Sequence, residues 1–305
     1  MRALITGATG LVGRHLIGKL EDVVVLSRNA DDARRRLGKV EAHAWNPEGG
    51  PAPIEAVRGV EVVFNLLGEP VFEGRWTDEK KRRIRDSRVV GTRNLVSAIA
   101  ASERRPRVLV SASAVGYYGD RGDEELDERS SKGDGFLADV CADWEREAMA
   151  AEKLGVRVVC LRVGVGLAPN GGALATMLTP FRMGVGGRLG SGQQWMPWVH
   201  IKDLVGVMLH ASRNDSIRGP MNGVAPHPVT NADFTHALAN AVHRPAMLPV
   251  PRIALRLALG EVSDILLASQ RVLPKVAEQS GYVFEHPDLA GALEDVTTSS
   301  QSSSA

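Results

Sequence analysis

The chain has 305 residues, 44% of them hydrophobic, so it can bury a large core as one α/β domain or as one domain with a smaller lobe. Its 37 basic and 36 acidic residues nearly cancel, which argues against nucleic acids and membrane surfaces as partners and favours a small-molecule ligand. Two cysteines, Cys141 and Cys160, are too few for a disulfide framework or a cysteine-based zinc site and indicate a reducing compartment. No signal peptide opens the chain and no apolar run reaches the roughly 18 residues of a membrane span, so we expect a cytoplasmic protein, with no metal site.

Short apolar runs alternate with helical patterns through the first half of the chain. The runs are Ala3–Ile5, Val23–Leu26, Val60–Leu67, Val108–Ala112 and Val156–Leu161. This alternation predicts βα units around a doubly wound parallel sheet, the Rossmann-like class of α/β fold. We expect residues 1–165 to form this core and 166–296 to form mostly a smaller C-terminal lobe, with segments such as Pro220–Val224 returning to the sheet. The polar tail 297–305 is predicted to be disordered.

A glycine-rich turn directly follows the first predicted strand. The segment LITGATGLVGRHL has glycines at 7, 10 and 13, in the spacing G-x-x-G-x-x-G. A strand, a tight glycine turn and a helix point backbone N–H groups at an anion, so the segment predicts a pyrophosphate site of a dinucleotide, the alternative being a plain structural turn. The candidate contacts are Gly7, Thr9, Gly10, Leu11, Val12 and Gly13.

The end of the second predicted strand distinguishes between dinucleotides. Ser27 and Arg28 stand about 20 residues after the glycine turn, where an acidic residue would bind the ribose hydroxyls of NAD. A guanidinium pairs with a 2′-phosphate that a carboxylate would repel, so the sequence favours NADP over NAD. The alternative is that Arg28 is a surface arginine that happens to follow a strand.

Together with the glycine turn, several segments resemble the extended short-chain dehydrogenase/reductase superfamily, namely Asn65-Leu-Leu-Gly68, Ser111-Ala-Ser113 and Pro197–Asp203. A closer resemblance is to the atypical branch called epimerase family proteins, through Gly68-Glu-Pro70, Arg75-Trp76, Ser87-Arg88, Gly116-Tyr-Tyr118, Gly186–Gly192, His243-Arg-Pro245 and Gln270–Lys275. The resemblance spans residues 1–296. It implies an epimerase/dehydratase-like protein whose second lobe holds the substrate.

The resemblance also implies where the cofactor lies. Its path would run from the glycine turn past Ser27 and Arg28, and then past Leu66, Leu67 and Gly68. Arg88 is implied as a further phosphate or ribose contact. Arg83 is implied as a weaker one, because it lies in a basic run that is also typical of a solvated helix face. Gly166 falls where the family's chain passes the nicotinamide.

The superfamily's usual acid/base pair is absent from this sequence. That pair is a tyrosine followed four residues later by a lysine on the same helical face. The residues four positions after Tyr117, Tyr118 and Tyr282 are Arg121, Gly122 and His286. Matching the segment Gly135–Glu145 to the family's tyrosine helix places Leu137 and Cys141 at the two positions, and neither side chain can replace the original.

Three residues are candidates for the remaining chemistry. Ser113 matches the superfamily's substrate-orienting serine, Tyr118 follows it in Gly-Tyr-Tyr-Gly, and Glu69 follows the predicted cofactor loop. Alternatively, Tyr118 is a wall of the binding site and Glu69 is a solvated loop residue.

His200, Trp195 and Trp198 are each open to two interpretations as well. His200 is either catalytic or a structural hydrogen-bonding residue, and the two tryptophans either line an aromatic pocket or fill core. The sequence therefore predicts an NADP(H)-binding oxidoreductase acting on an unidentified small molecule, the alternative being a non-catalytic NADPH-dependent sensor or scaffold.

Overall fold

The computed structural model describes residues 1–169 and 171–302. Its strands are β1 (Arg2–Thr6), β2 (Asp22–Ser27), β3 (Glu41–Ala44), β4 (Val62–Asn65), β5 (Val108–Ala114), β6 (Glu125–Leu126), β7 (Arg157–Val163), β8 (Val165–Leu167), β9 (Trp195–Met196), β10 (Trp198–His200), β11 (Gly219–Gly223), β12 (Val229–Thr230) and β13 (Arg271–Val272). Its α-helices are α1 (Leu11–Ile17), α2 (Ala30–Leu37), α3 (Ile54–Val57), α4 (Asp78–Ala101), α5 (Phe136–Met149), α6 (Gly172–Arg182), α7 (Ile201–Arg213), α8 (Asn231–Ala241), α9 (Arg252–Leu259), α10 (Val262–Leu267), α11 (Lys275–Gln279) and α12 (Leu289–Ser302). Two 3-10 helices span Val115–Tyr118 and Ala150–Leu154.

The central sheet has seven parallel strands in the order β11-β7-β5-β4-β1-β2-β3. The chain winds from β1 outward to β3, and then crosses back to β4 and continues to the other edge. This reversal between β1 and β4 confirms the predicted doubly wound Rossmann-like class. In such sheets ligands bind at the carboxyl ends of the strands, beside the point where the order reverses.

Alternate residues of each strand face opposite helical layers. In β1, Ala3 and Ile5 pack with α1, α2 and α7, whereas Leu4 packs with α3, α4 and α5. The strands are buried on both faces because crossover helices cover both, which explains why their sequences are continuous apolar runs. Helix starts are encoded locally, as where the Thr77 hydroxyl accepts a hydrogen bond from the Lys80 N–H at the start of α4.

The second half of the chain adds one strand to the sheet and builds a smaller lobe. β11 pairs with β7, while α6, α8, α12, β8 and β10 surround a separate apolar cluster that includes Leu174, Trp198 and Phe234. The division at residue 165 itself stays a prediction.

The predicted disordered tail is wrong for residues 297–302. These residues continue α12, which packs against α8 through Leu293 and Val296, and Thr297 is buried with its hydroxyl donating to the Leu293 carbonyl. The physical reason is that a polar segment extends a helix already anchored by apolar residues. Residues 303–305 lie outside the described residues. No helix in the described part of the chain is long and apolar enough to cross a membrane.

Candidate functional site

The glycine turn lies at the carboxyl edge of β1, directly against the end of β4. Gly7 has a φ of +66°, and a Cβ on it would lie 2.4 Å from the Leu66 carbonyl oxygen. A Cβ on Gly13 would lie 2.6 Å from Ala8. Only glycine therefore fits at these two positions.

Gly10 differs from the other two glycines of the turn. Its backbone is extended, and a Cβ on it would meet only the Gly7 carbonyl oxygen, at 3.1 Å. Gly10 is exposed, and Thr9, Leu11 and Val12 are partly buried around it. The turn thus presents its outer face at position 10 without side chains in the way.

A buried row of polar side chains fixes the ends of β1, β4 and β5. The Asn65 carboxamide accepts from Thr6 Oγ1 at 2.9 Å and donates to Ser111 Oγ at 3.0 Å and Thr92 Oγ1 at 2.9 Å. The Thr6 hydroxyl oxygen in turn accepts from the Leu66 N–H at 2.9 Å. Because each of these buried groups is satisfied, the row holds the two loops that form the cradle in one geometry.

Arg28 lies at the β2 end of the same crevice, in a group of basic side chains around one carboxylate. Glu69 Oε1 is 2.8 Å from Lys80 Nζ and 3.6 Å from Arg83 Nε. The hydrogen bond from Lys80, followed by the nearby charges of Lys80, Arg83 and Arg28, holds the pKa of Glu69 below its usual value. Arg28 is exposed, and Ser27 beside it bonds the backbone of Asn29.

The predicted role of Glu69 as an acid or base stays a prediction, and its surroundings weigh against the acid. Its carboxylate is ionised, is paired with the buried Lys80, and lies on the side of the crevice where Arg28 is found. An ion-paired carboxylate with a lowered pKa is a poor proton donor at neutral pH. Lys80 was not singled out from the sequence, because it reads as part of a solvated basic run.

Ser87 and Arg88 hold the loop that follows β4. Ser87 Oγ accepts from the Glu69 N–H at 3.0 Å, and Arg88 Nη1 donates to the Glu69 carbonyl at 3.0 Å and to the Ile84 carbonyl at 3.0 Å. A Cβ on Gly68 would come within 2.8 Å of the Arg88 guanidinium. Arg88 thus supports the loop 66–69, and its predicted contact with a cofactor stays a prediction.

The segment after β7 closes the crevice from the other side. A Cβ on Gly172 would lie 2.9 Å from the Leu11 side chain, and 3.7 Å from the Gly166 carbonyl oxygen. A Cβ on Gly166 would meet nothing within 4 Å, so Gly166 borders open space beside the turn. Leu66 and Leu67 pack their side chains against the two faces of the core beneath the crevice.

A second buried polar row crosses β5, β7 and β11 at the same edge. Arg162 is paired in register with Ser113 on one side and with Asn222 on the other. Glu145 on α5 accepts from Ser113 Oγ at 2.7 Å and forms a bidentate ion pair with Arg162, with both N–O distances 2.8 Å. Arg162 is 3% exposed, so Glu145 and Arg162 form a buried charge pair to which Ser113 is hydrogen-bonded.

Tyr118 belongs to this row, and its predicted roles as an acid/base or a wall of the site are both wrong. The side chain is 0% exposed. Its hydroxyl accepts from Arg162 Nη1 at 3.0 Å and lies 2.8 Å from Asn222 Oδ1. Burial raises the pKa of Tyr118 to about 12. The phenol is therefore a neutral core group that no ligand reaches.

Helix α5 places Leu137 and Cys141 beside the end of β5. A Cβ on Gly116 would lie 3.3 Å from Leu137 Cβ and 3.9 Å from Cys141 Sγ. Burial raises the pKa of the Cys141 thiol to about 11, so it is protonated and unreactive at neutral pH.

His200 has a structural role at the start of α7. Its Nδ1 accepts from the Lys202 N–H at 3.2 Å, so the hydrogen of the neutral ring is on Nε2, which faces Asp295 Oδ2 at 3.2 Å. Among the described residues, His200, His286 and Asp295 have the spacing of a metal site, with ligand atoms within 4.8 Å of one another. Binding of a metal ion through Nε2 would move the ring hydrogen to Nδ1, where the Lys202 N–H already donates, so the His200 geometry disfavours a metal ion here.

The two tryptophans differ. Trp198 is 1% exposed and fills the core of the C-terminal lobe. Trp195 is partly exposed, donates from Nε1 to Asp123 Oδ1 at 2.9 Å and carries Arg271 over its ring.

Comparison with known proteins finds similarity along most of the chain. The family described as NAD dependent epimerase/dehydratase matches residues 3–222, and a domain of unknown function, DUF1731, matches residues 250–296. An epimerase family protein of Mycobacterium bovis is 41% identical over 297 residues, which cover 96% of this chain and 97% of that protein. The chloroplastic epimerase family protein SDR39U1 homolog of Arabidopsis thaliana is 39% identical over 307 residues, which cover 96% and 86%.

Solved structures give the same relationship. The crystal structure of human epimerase family protein SDR39U1 with NADPH superposes with a TM-score of 0.86 at 32% identity, covering 98% of this chain and 99% of that one. A nucleoside-diphosphate sugar epimerase from Corynebacterium glutamicum superposes with a TM-score of 0.78 at 32% identity, covering 99% of this chain and 65% of that one.

Proposed function

The chain belongs to the NAD-dependent epimerase/dehydratase family, and from this membership we propose that it binds NADPH and acts as an oxidoreductase on a small molecule. The observation that carries the proposal is the glycine cradle at the reversal of the sheet. Cβ atoms at Gly7 and Gly13 would overlap backbone, while Gly10 presents an open face. A pyrophosphate fits such a cradle because it must approach the backbone closely. A human relative 32% identical to this chain was crystallised with NADPH, which supports the same cofactor here.

The residues that would hold NADPH follow the crevice. The turn around Gly10 would bind the pyrophosphate, Ser27 and Arg28 the phosphorylated ribose, and the loop 66–68 the middle of the molecule. Gly166 would border the nicotinamide, which supplies a hydride when bound.

Charge at the ribose end supports NADPH over NADH. Arg28, Lys80 and Arg83 lie near the Glu69 carboxylate, and Arg83 also pairs with Glu79 at 2.7 Å, which leaves an excess of one positive charge. A 2′-phosphate adds negative charge where this excess lies, and Arg28 is exposed and able to pair with it.

The reacting end carries an orienting group and lacks the superfamily's proton donor. The Ser113 hydrogen is donated to Glu145, so Ser113, which is 3% exposed and lies beside the Cys141 thiol, would act on a substrate hydroxyl only through its oxygen. Arg162 fixes Glu145, and through it the direction of Ser113. Leu137 and Cys141 stand at the matching tyrosine and lysine positions. Without a positioned acid/base we expect turnover to be slower by about 10² to 10⁴.

Calorimetric titration with NADPH and NADH tests the cofactor proposal. We expect NADPH to bind more tightly than NADH. Arg28→Ala should remove this preference by weakening NADPH binding by about 1.5–3 kcal/mol, the range of a charge-assisted contact. Arg36→Ala, which removes an exposed arginine of α2, is the matched control and should bind as the unchanged chain does. Equal affinities for NADPH and NADH in the unchanged chain would refute the assignment.

A second function is favoured by the state of the acid/base candidates in the described part of the chain. Tyr118 is buried, Glu69 is ion-paired and the Cys141 thiol is protonated, as a non-catalytic NADPH-dependent sensor or scaffold would allow. Single-turnover hydride transfer to a panel of carbonyl compounds and nucleotide sugars separates the two functions. Transfer to any panel member supports the oxidoreductase. No transfer, together with protease protection that depends on NADPH, supports the sensor.

A further inference from the structure

A cavity of about 570 Å³ lies in the C-terminal lobe, between α8 and the segment 244–249. Its volume is within the range of about 300–1,000 Å³ typical of small-molecule sites. The lining residues are Arg188, Ala232, Thr235, His236, Ala239, Asn240, Arg244, Pro245, Ala246, Met247 and Pro249. None of them belongs to the crevice of the glycine turn.

The cavity lies where two chain segments without acidic residues meet. Segments 182–190 and 243–260 contain five arginines and no aspartate or glutamate, although the whole chain is almost neutral. The Val250 N–H donates to the Arg188 carbonyl at 2.8 Å, and Arg244 Nε donates to the Arg182 carbonyl at 3.3 Å. The fold therefore brings Arg188 of one segment and Arg244 of the other to the same cavity.

Two guanidiniums at the cavity are available to a ligand. In the described part of the chain, Arg188 and Arg244 form no ion pair with a carboxylate, and no carboxylate lines the cavity. His236 and Asn240 are four residues apart on α8, so they share one face of the helix and add further polar groups. The cavity is thus a concave surface of donors with uncompensated positive charge.

Apart from Thr235, the remaining lining is apolar and indicates a second part of the ligand. It consists of three alanines, two prolines and Met247, which is 82% exposed. A phosphate monoester carries a charge of about −1.5 to −2 at neutral pH. This charge matches two guanidiniums better than the single negative charge of a carboxylate ligand does. We propose that this cavity binds an organic phosphate, with its phosphate between Arg188 and Arg244 and its apolar part along Ala239, Ala246 and Met247.

Phenyl phosphate is the probe, used with the full chain carrying ¹³C-methyl methionine. We expect saturable binding at millimolar concentration or below, and a shift of the Met247 signal, assigned with Met247→Leu. Inorganic phosphate lacks the apolar part and benzoate lacks the second charge, so both should bind more weakly. Equal or tighter binding of benzoate would overturn the phosphate, and equal binding of inorganic phosphate would overturn the apolar contact.

Arginine variants test the location of the site. Arg188→Gln and Arg244→Gln should each weaken phenyl phosphate binding by about tenfold or more, as expected for a lost charge-assisted hydrogen bond. Arg213→Gln, at the exposed end of α7, is the matched control and should change nothing. Unchanged affinity in the Arg188 and Arg244 variants would overturn the proposal, as would the absence of binding.

The Gly10→Val variant separates this cavity from the crevice. It alters the glycine turn and none of the lining residues, so phenyl phosphate should bind to it as to the unchanged chain, with the Met247 shift intact. Loss of phenyl phosphate binding in this variant would instead place the probe in the crevice and overturn the proposal. The outcome does not depend on the proposed function, because the arginine variants are compared without cofactor.

Discussion

Replacing Gly10 with valine should abolish dinucleotide binding while the chain still folds. Gly10 has φ −73° and ψ 175°, which any residue adopts, and a Cβ on it would approach only the Gly7 carbonyl oxygen, at 3.1 Å. The folded state therefore needs only a small adjustment, and we expect a change of at most about 1 kcal/mol in the free energy of unfolding. On the open face, by contrast, the branched side chain occupies the place of a pyrophosphate. Loss of two charge-assisted hydrogen bonds at about 1.5–3 kcal/mol each corresponds to at least a hundredfold weaker NADPH binding.

Calorimetry with NADPH and denaturant unfolding, on the same preparations, check this result. Gly291→Val makes the same change at an exposed glycine of α12 where a Cβ meets nothing within 4 Å, so it should keep full NADPH affinity. Gly7→Ala is the opposite control, because its Cβ would lie 2.4 Å from the Leu66 carbonyl oxygen at a positive φ, and it should destabilise the fold. A folded Gly10→Val variant that binds NADPH as well as the unchanged chain would show that the turn is only a connection.

Three further outcomes are expected. Cys141→Ala should leave any hydride transfer unchanged in its pH profile, because the buried thiol has a pKa of about 11 and is not the missing base; a changed profile would contradict this. Glu145→Gln should lower the free energy of unfolding by about 3–5 kcal/mol in urea, because Arg162 would be left buried without its partner, and an unaffected midpoint would show that the pair contributes nothing. Burial lowers the pKa of His200 from 6.5 to about 4. As the pH falls, the unfolded chain therefore binds a proton at this residue before the folded chain does. The free energy of unfolding is thus unchanged above pH 6.5 and decreases as the pH drops toward 4. The decrease in the free energy of unfolding should reach about 3 kcal/mol in the unchanged chain and be absent in His200→Asn. A His200→Asn variant with the same pH dependence as the unchanged chain would refute this assignment.

Local sequence signals were sufficient for the fold and for the cradle. Apolar runs separated by helical patterns predicted the doubly wound sheet because strands covered on both faces must be apolar throughout. The spacing of Gly7 and Gly13 predicted a turn in which backbone groups approach closely, and in the structure a Cβ at either position would lie only 2.4–2.6 Å from neighbouring backbone atoms. Such signals are readable because the pattern itself is local, although the Leu66 carbonyl that crowds Gly7 comes from a distant strand end.

The reacting end was not readable in this way. Glu145, Arg162 and Asn222 meet Ser113 only through the register of strands that are distant in sequence. For the same reason the burial of Tyr118 could not be seen, since its hydroxyl partners Arg162 and Asn222 come from β7 and β11. A useful signal was present in the strand sequence itself. Arg162 is a charged residue inside the apolar run of β7, and such a residue requires a buried partner.

The second polar row also bears on why the fold retains a buried charge pair. Removing two charges from water is unfavourable, and apolar replacements of a buried ion pair are often neutral or stabilising. The bidentate geometry of Glu145 and Arg162 does, however, leave one carboxylate oxygen shared with Ser113 at 2.7 Å. An apolar pair could fill the same space but could not direct the Ser113 hydroxyl. The pair therefore fixes the direction of the Ser113 hydroxyl, which apolar replacements of Glu145 and Arg162 would leave undirected.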